Sequence, residues 1–270
     1  MDTRFWGPSG WRLLHLVAAS PNCIKNTQFW KSLPFVLPCK FCRASLSEYY
    51  IQHPVPTSAK DYPKWLYTIH NCVNEKLRKQ GQTIVPDPPF SQVEKHYEEL
   101  LKQGCTRTSF PGWEFLFCIA DNHPDSSPSS LMPDAPSDVS TRSLAERNHW
   151  NALTAKERKQ TLKQFWRSLP DVLPFEEWRT SWNQHVGPLR NAILNRRSAL
   201  AWLWRIRCGM DKDLQQMGEK DFFGLCKTLK QHRSGCSSST RAKTCRAVKG
   251  GARKTRRHKQ RAWTGRSRRN

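Results

Sequence analysis

The sequence predicts an all-α chain, on three observations. Apolar residues recur three and four apart in one segment after another, and Pro or Gly bounds each segment. No stretch alternates apolar and polar residues as a half-buried strand does. A helical pattern from the first half of the chain returns in the second.

The elements follow in order. Pro8 and Ser9 open a first helix in which Trp11, Leu14, Val17 and Ala18 share a face up to Ala19. A second runs from Phe29 to Val36 and is closed by Pro38. A third spans Cys39 to Tyr50, with Pro54 and Pro56 marking the loop beyond it. Pro63 suits the first turn of a fourth helix, which reaches Lys79 and stops at Gly81. Pro86, Pro88 and Pro89 form a rigid connection to a fifth, Phe90 to Gln103, with Gly104 after it. Residues 121–141 are rich in Ser, Pro and Asp and read as a linker. The expected organisation is a helical domain over 1–105, a partly disordered connector over 106–142, a second helical domain over 143–231 and a disordered basic tail over 232–270.

The second domain echoes the first. Phe29-Trp-Lys-Ser-Leu-Pro-Phe-Val-Leu-Pro38 matches Phe165-Trp-Arg-Ser-Leu-Pro-Asp-Val-Leu-Pro174 at eight of ten positions. Trp65-Leu-Tyr-Thr-Ile69 matches Trp202-Leu-Trp-Arg-Ile206, and the two offsets, 136 and 137 residues, are nearly collinear. A duplicated helical domain is the expectation. Where the first half has Cys39-Lys-Phe-Cys42, the second has Phe175-Glu-Glu-Trp178, so it keeps the packing pattern and lacks the thiols.

Net charge is +23, concentrated at one end. From Arg233 to Asn270 there are 14 Lys/Arg and no Asp or Glu, which leaves about +9 for the rest. Such a block is solvated and self-repelling, and it suits nonspecific nucleic-acid binding through phosphates or a nuclear address such as Lys254-Thr-Arg-Arg-His-Lys-Gln-Arg261. No apolar signal region and no run of 18 apolar residues is present, so the expectation is a chain that neither spans a membrane nor is secreted by the usual route. In a reducing compartment, Cys-x-x-Cys is a redox or metal-binding pair before it is a structural one.

Three groups of residues carry chemistry. Cys39 and Cys42 stand at a helix start, where the N-terminal dipole favours the thiolate and two cysteines three apart can close a small disulfide ring. Zinc ligation by Cys39, Cys42, His70 and Cys72 is the competing reading. Trp11 and His15 share a helix face; a core Trp with a surface His would look the same. His70, Asn71, Asn74, Lys76 and Lys79 offer imidazole, amide and ammonium groups in order along one helix. That order suits a polar ring system joined to phosphates, and a solvated helix face is the plain alternative.

These residues resemble a known family. Trp6-Gly-Pro-x-x-Trp11-x-x-x-His15, Leu37-Pro-Cys-x-x-Cys42, His53-Pro54 and Trp65-Leu-x-x-x-His70-Asn-x-Val-Asn74-x-Lys-Leu77 are similar, in order and spacing, to the Erv/ALR sulfhydryl oxidases over residues 4–104, and the compact form resembles those of large DNA viruses. The resemblance implies a five-helix FAD-binding bundle, usually dimeric. In it Trp11 and His15 pack on the flavin end, while His70, Asn71, Asn74, Lys76 and Lys79 hold the adenine and phosphates. It places Cys42 beside the flavin and Cys39 facing solvent. It implies electron flow from substrate dithiol to Cys39–Cys42, then to FAD, then to oxygen, forming hydrogen peroxide and disulfides in thiol-containing proteins. The second half resembles the flavin-free pseudo-domain of quiescin sulfhydryl oxidases and insect-virus relatives, which implies a pseudo-dimer within one chain or a homodimer.

The chain also departs from the family. The Cys-x16-Cys brace of longer members is absent, with Tyr50 and Asp61 near its places, and a family arginine is replaced around Pro8. Shuttle-cysteine candidates are Cys236 with Cys245 and Cys105 with Cys118. The expected location is host cytoplasm, a viral factory or the virion, with the nucleus open to the tail. A nucleic-acid-binding protein on an inert oxidase-like scaffold is the reading from another class.

Overall fold

The first helix begins earlier than Pro8. Asp2 caps it, its carboxylate accepting from the Arg4 N–H at 3.0 Å, and α1 runs Thr3–Ala19 with Pro8 inside. The cap supplies a start signal upstream of the proline, whose missing N–H removes one ladder bond near the helix end. The computed structural model describes residues 1–105, 110–126, 130–216, 218 and 221–233; the basic tail with Cys236 and Cys245 lies outside them.

The next four helices follow the sequence closely: α2 Thr27–Val36, α3 Lys40–Gln52, α4 Tyr62–Lys79 and α5 Phe90–Gln103. Pro63 sits in the first turn of α4, and Gly81 and Gly104 take positive φ just past α4 and α5, where a side chain would be strained. Helix α1 packs on α4 and α5, and α3 on α2.

Helix α6, Trp113–Asp121, lies inside the stretch expected to be connector, and all of its residues except Glu114 are buried. It crosses α1 closely. A Cβ on Gly112 would meet Leu13 Cδ2 at 2.5 Å, and one on Gly10 would meet Phe115 Cδ2 at 3.1 Å. Ser9 fastens the crossing by donating to the Pro111 carbonyl at 2.9 Å and accepting from Phe115 N–H at 3.3 Å.

The rest of the chain forms α7 Leu144–His149, α8 Ala155–Val172, α9 Glu176–His185, α10 Arg190–Leu194, α11 Arg196–Asp213 and α12 Phe222–His232. Capping boxes at Ser143 and Thr154 start α7 and α8. Among the described residues there is no strand, and no helix is long and apolar enough to cross a membrane. The fully buried Asp121 carboxylate receives Arg196 and Arg233 at 2.6 Å each, joining α6 to α11 and to the end of α12. The Asp2 N–H donates to the His232 carbonyl at 2.8 Å, so α12 is also tied to the start of α1.

The most extensive helix contact is α2 on α8, the two segments whose sequences match. Phe29 and Phe165, which correspond, stack on each other at 5.5 Å. Other contacts recur in pairs. Trp30 meets Trp65 edge-on at 5.5 Å, and Trp166 meets Trp202 at 5.2 Å. Arg43 Nη1 donates to the Leu37 carbonyl at 2.7 Å, and Arg179 Nη1 donates to the Leu173 carbonyl at 2.7 Å.

Candidate functional site

Cys39 is the N-cap of α3, and Cys42 lies in its first turn. That turn carries no acidic residue, and the N-terminal end of a helix dipole favours a thiolate. Arg43 is buried just beyond the pair, its N–H bonded to the Cys39 carbonyl at 3.0 Å and its guanidinium to the Leu37 carbonyl. The expectation that Cys39 faces solvent is corrected. It is 1% exposed, while Cys42 is half-exposed. Residues far along the chain pack around the start of α3, and a local motif carries no trace of them.

Helix α3 is held against α4. Tyr49 OH donates to the Cys72 carbonyl at 3.2 Å, and Lys76 Nζ donates to Ser45 Oγ. Burial first, then nearby groups including Cys72 and Cys42, push the Tyr49 phenol up to about 12, so both thiols lie within its electrostatic reach. The redox pair and the histidine-bearing helix therefore share one wall of the fold.

Where α1 packs on α4, three of the expected residues converge. Trp11 stacks on His70 at 3.9 Å between centroids, and His15 Nε2 lies 3.0 Å from His70 Nδ1. Burial drives both imidazoles toward neutrality, holding His15 near 3, with His70 adding to the effect, and His70 near 4. The Trp–His spacing is thus not a core Trp with a surface His: His15 is the buried member. Sequence reasoning missed Tyr97, whose ring lies nearly parallel to His15 at 5.1 Å. The apolar face formed by Phe90, Val93, Tyr97 and Leu100 on α5 was its available signal. With His15, Phe90 and Val93, Tyr97 lines a cleft between α1, α4 and α5.

The polar residues of α4 continue from this aromatic cluster. Asn74, one turn beyond His70, donates to Asp87 Oδ1 at 2.6 Å, and Arg78 pairs with Asp87 at 2.8 Å. Asp87, on the proline-rich connection, carried no sequence signal. Asn71 is half-buried beside His70, and Lys76 is engaged with Ser45. Lys79 stands apart: its side chain is exposed and pairs with Glu75 one turn back, at 2.6 Å. Aromatic faces and neutral imidazoles at one end, amides next and cations at the helix terminus fit a ligand with an uncharged flat ring followed by phosphates. FAD has that form.

Other thiols fall elsewhere. Cys72 Sγ lies 3.9 Å from His53 Nε2, and among the described residues no group of three or more His, Cys, Asp or Glu is placed to hold a metal ion. Cys118 is fully buried in α6, and burial raises its thiol well above the ordinary range, the reverse of what a solvent-facing shuttle needs.

The second half offers a comparison that lacks the Cys-x-x-Cys pair. Gly112-Trp113-x-x-Leu116 matches Gly10-Trp11-x-x-Leu14 at an offset of 102, Ala120 matches Ala18, and Phe117 stands where the first half has His15. Arg207, at the position of His70 in the repeat, lies over both Trp113 and Phe117 at 5.9 Å. Phe110 packs on Trp178 at 4.8 Å, beside the start of α9. Aromatic side chains fill this region from within.

A family model described as the Erv1/Alr family matches residues 8–98. The chain is similar to the FAD-linked sulfhydryl oxidase of African swine fever virus, 34% identical over 86 residues, which is 28% of this chain and 70% of that protein. It is also similar to the putative FAD-linked sulfhydryl oxidase 347L of Invertebrate iridescent virus 6, 31% identical over 102 residues, covering 32% of this chain and 89% of that one. The mitochondrial FAD-linked sulfhydryl oxidase ERV1 of Saccharomyces cerevisiae is 33% identical over 86 residues, 29% of this chain and 46% of its own length. No solved structure matches. With the redox pair, the Trp–His–His cluster and α4 all inside the matched stretch, the chain belongs to the Erv1/Alr family.

Proposed function

We propose that the protein is an FAD-dependent thiol oxidase that makes disulfides, encoded by a large DNA virus. The observations that carry this are Cys39-x-x-Cys42 at the head of α3, a helix bonded to α4, and the convergence of Trp11 and His15 on His70 of that same α4. A substrate thiolate attacks Cys39 Sγ of the oxidised pair; the Cys39–Cys42 bond breaks and Cys42 leaves as a thiolate, favoured by the helix dipole. A second substrate thiolate displaces Cys39 from the mixed disulfide, so two substrate thiols lose two protons and two electrons. Trp11, His15, His70, Asn71, Asn74 and Lys76 would hold FAD, which when bound would supply the two-electron route from the reduced pair to oxygen that yields hydrogen peroxide. The chain's residues position the sulfurs, keep the ring's surroundings uncharged and exclude water. The experiment is anaerobic reduction of the yellow protein by dithiothreitol, followed by air. Bleaching and then stoichiometric peroxide supports the reading, and a colourless protein or no peroxide ends it.

The second half reads as a degenerate copy that occupies the place of a dimer partner. The paired contacts of α2 with α8 and the recurring Trp–Trp and Arg–carbonyl contacts support this. A single chain of 31.4 kDa by light scattering is expected; a stable species of twice that mass would count against it. For the tail we propose nonspecific, salt-sensitive nucleic-acid binding; truncation at residue 233 should abolish it and leave dithiothreitol oxidation intact. Host cytoplasm or viral factory is the proposed location, checked by imaging the tagged chain.

A further inference from the structure

Cys39 is the sulfur a substrate must reach, and it is 1% exposed. A strip of connector is laced to the residues beside it. Lys40, between the two cysteines, donates its Nζ to Ser130 Oγ at 3.1 Å and lies 3.4 Å from the Ser130 carbonyl. Asn151 Nδ2 donates to that same carbonyl at 2.7 Å, while its Oδ1 accepts from Arg43 Nη2 at 2.8 Å. The Met132 N–H donates to the Trp150 carbonyl at 3.0 Å, which fastens the strip's far end. Just before Asn151, Asn148 Nδ2 donates to the Pro34 carbonyl and to Ser47 Oγ at 2.9 Å each, anchoring α7 on α3. Residues 130–132 and Asn151 lie outside the stretch matched by the family, 8–98.

Thiol–disulfide exchange requires the attacking sulfur to approach along the axis of the bond it breaks. A thiol on a folded protein brings its surrounding surface with it; a small dithiol or an extended segment does not. We propose that residues 130–132, pinned by Asn151 and Lys40, form a wall that selects substrates by size at Cys39. Small dithiols and unfolded segments reach the sulfur, and folded thiol proteins are held off. The biological meaning rests on the oxidase reading above, whereas accessibility of Cys39 can be measured without it.

Asn151 allows a mild test. Its φ is +55°, a left-handed backbone that glycine adopts without strain, so Asn151→Gly deletes the side-chain bonds to Arg43 and Ser130 and spares the turn. The full-length protein, reduced under anaerobic conditions, is treated with iodoacetamide or with a polyethylene-glycol maleimide, and labelling of the Cys39 peptide is timed by mass spectrometry. Loss of two hydrogen bonds should speed the bulky reagent about tenfold and the small one far less. In turnover, kcat/KM for a reduced folded thioredoxin should rise about tenfold relative to dithiothreitol. Equal acceleration of both reagents, or none, overturns the wall. Should Asn151→Gly fail to fold, Lys40→Met carries the same comparison. Relaxed size selection in a protein that makes no peroxide would keep the wall and remove the oxidase reading.

Discussion

At the scale of the residue, the His15–His70 pair sets both chemistry and pH response. Both imidazoles are held near 3 and 4 in the fold, against about 6.5 in an unfolded chain. Above about pH 6.5 neither state takes up these protons, and the full stability is present. As pH falls from there toward 4 the unfolded chain binds protons that the fold refuses, so stability drops. At pH 5 the loss for His15 alone is about 2 kcal/mol. Melts of the flavin-free protein followed by tryptophan fluorescence should show a lower Tm at pH 5 than at pH 7. His15→Phe copies Phe117 of the second half; it should flatten that slope, keep the fold and lose the flavin absorbance. Cys42→Ser should retain flavin and abolish thiol-dependent oxygen uptake; normal turnover by that variant would remove Cys42 from the mechanism.

At the scale of the element, legibility depended on periodicity. The fourth and fifth helices were readable because one face is apolar and Pro and Gly mark their ends. Helix α6 was not, because Trp113-Glu-Phe-Leu-Phe-Cys-Ile-Ala is apolar all round and offers no face to detect. The pair Cys39 and Cys42 was placed correctly at a helix start, yet the burial of Cys39 went unread, as did the bonds of its neighbours Lys40 and Arg43 to Ser130 and Asn151, some 90 and 110 residues away in the chain. Helix α6 also ends on the most consequential buried charge. Asp121→Asn leaves Arg196 and Arg233 with a weaker partner but half in water, so a loss of about 2 kcal/mol in urea unfolding is expected. Because Arg233 closes α12, hydrogen exchange in α12 should rise with it.

At the scale of the whole molecule, the match between two segments was legible and its consequence for packing was not. Eight identities in ten announce two similar helices; they do not say that those helices meet. They meet where each carries the same apolar stripe, Phe-Trp-x-x-Leu, and two like stripes can bury each other as the two faces of an isologous contact do. Phe29→Ala and Phe165→Ala should each cost about 3 kcal/mol in denaturant unfolding. Since the rings face each other, the double variant should cost about 1 kcal/mol less than the sum. Strict additivity would separate them.

The Phe29–Phe165 stack has one more consequence, in how the molecule behaves when it is scarce. Two separate subunits fall apart when diluted below their dissociation constant, and any oxidase built that way fades early in an infection or at low expression. Here the facing surfaces are tethered, and a tether of this kind holds an effective local concentration of the order of millimolar whatever the number of molecules present. Melting temperature and activity per molecule should therefore stay level as the protein is taken from micromolar to nanomolar.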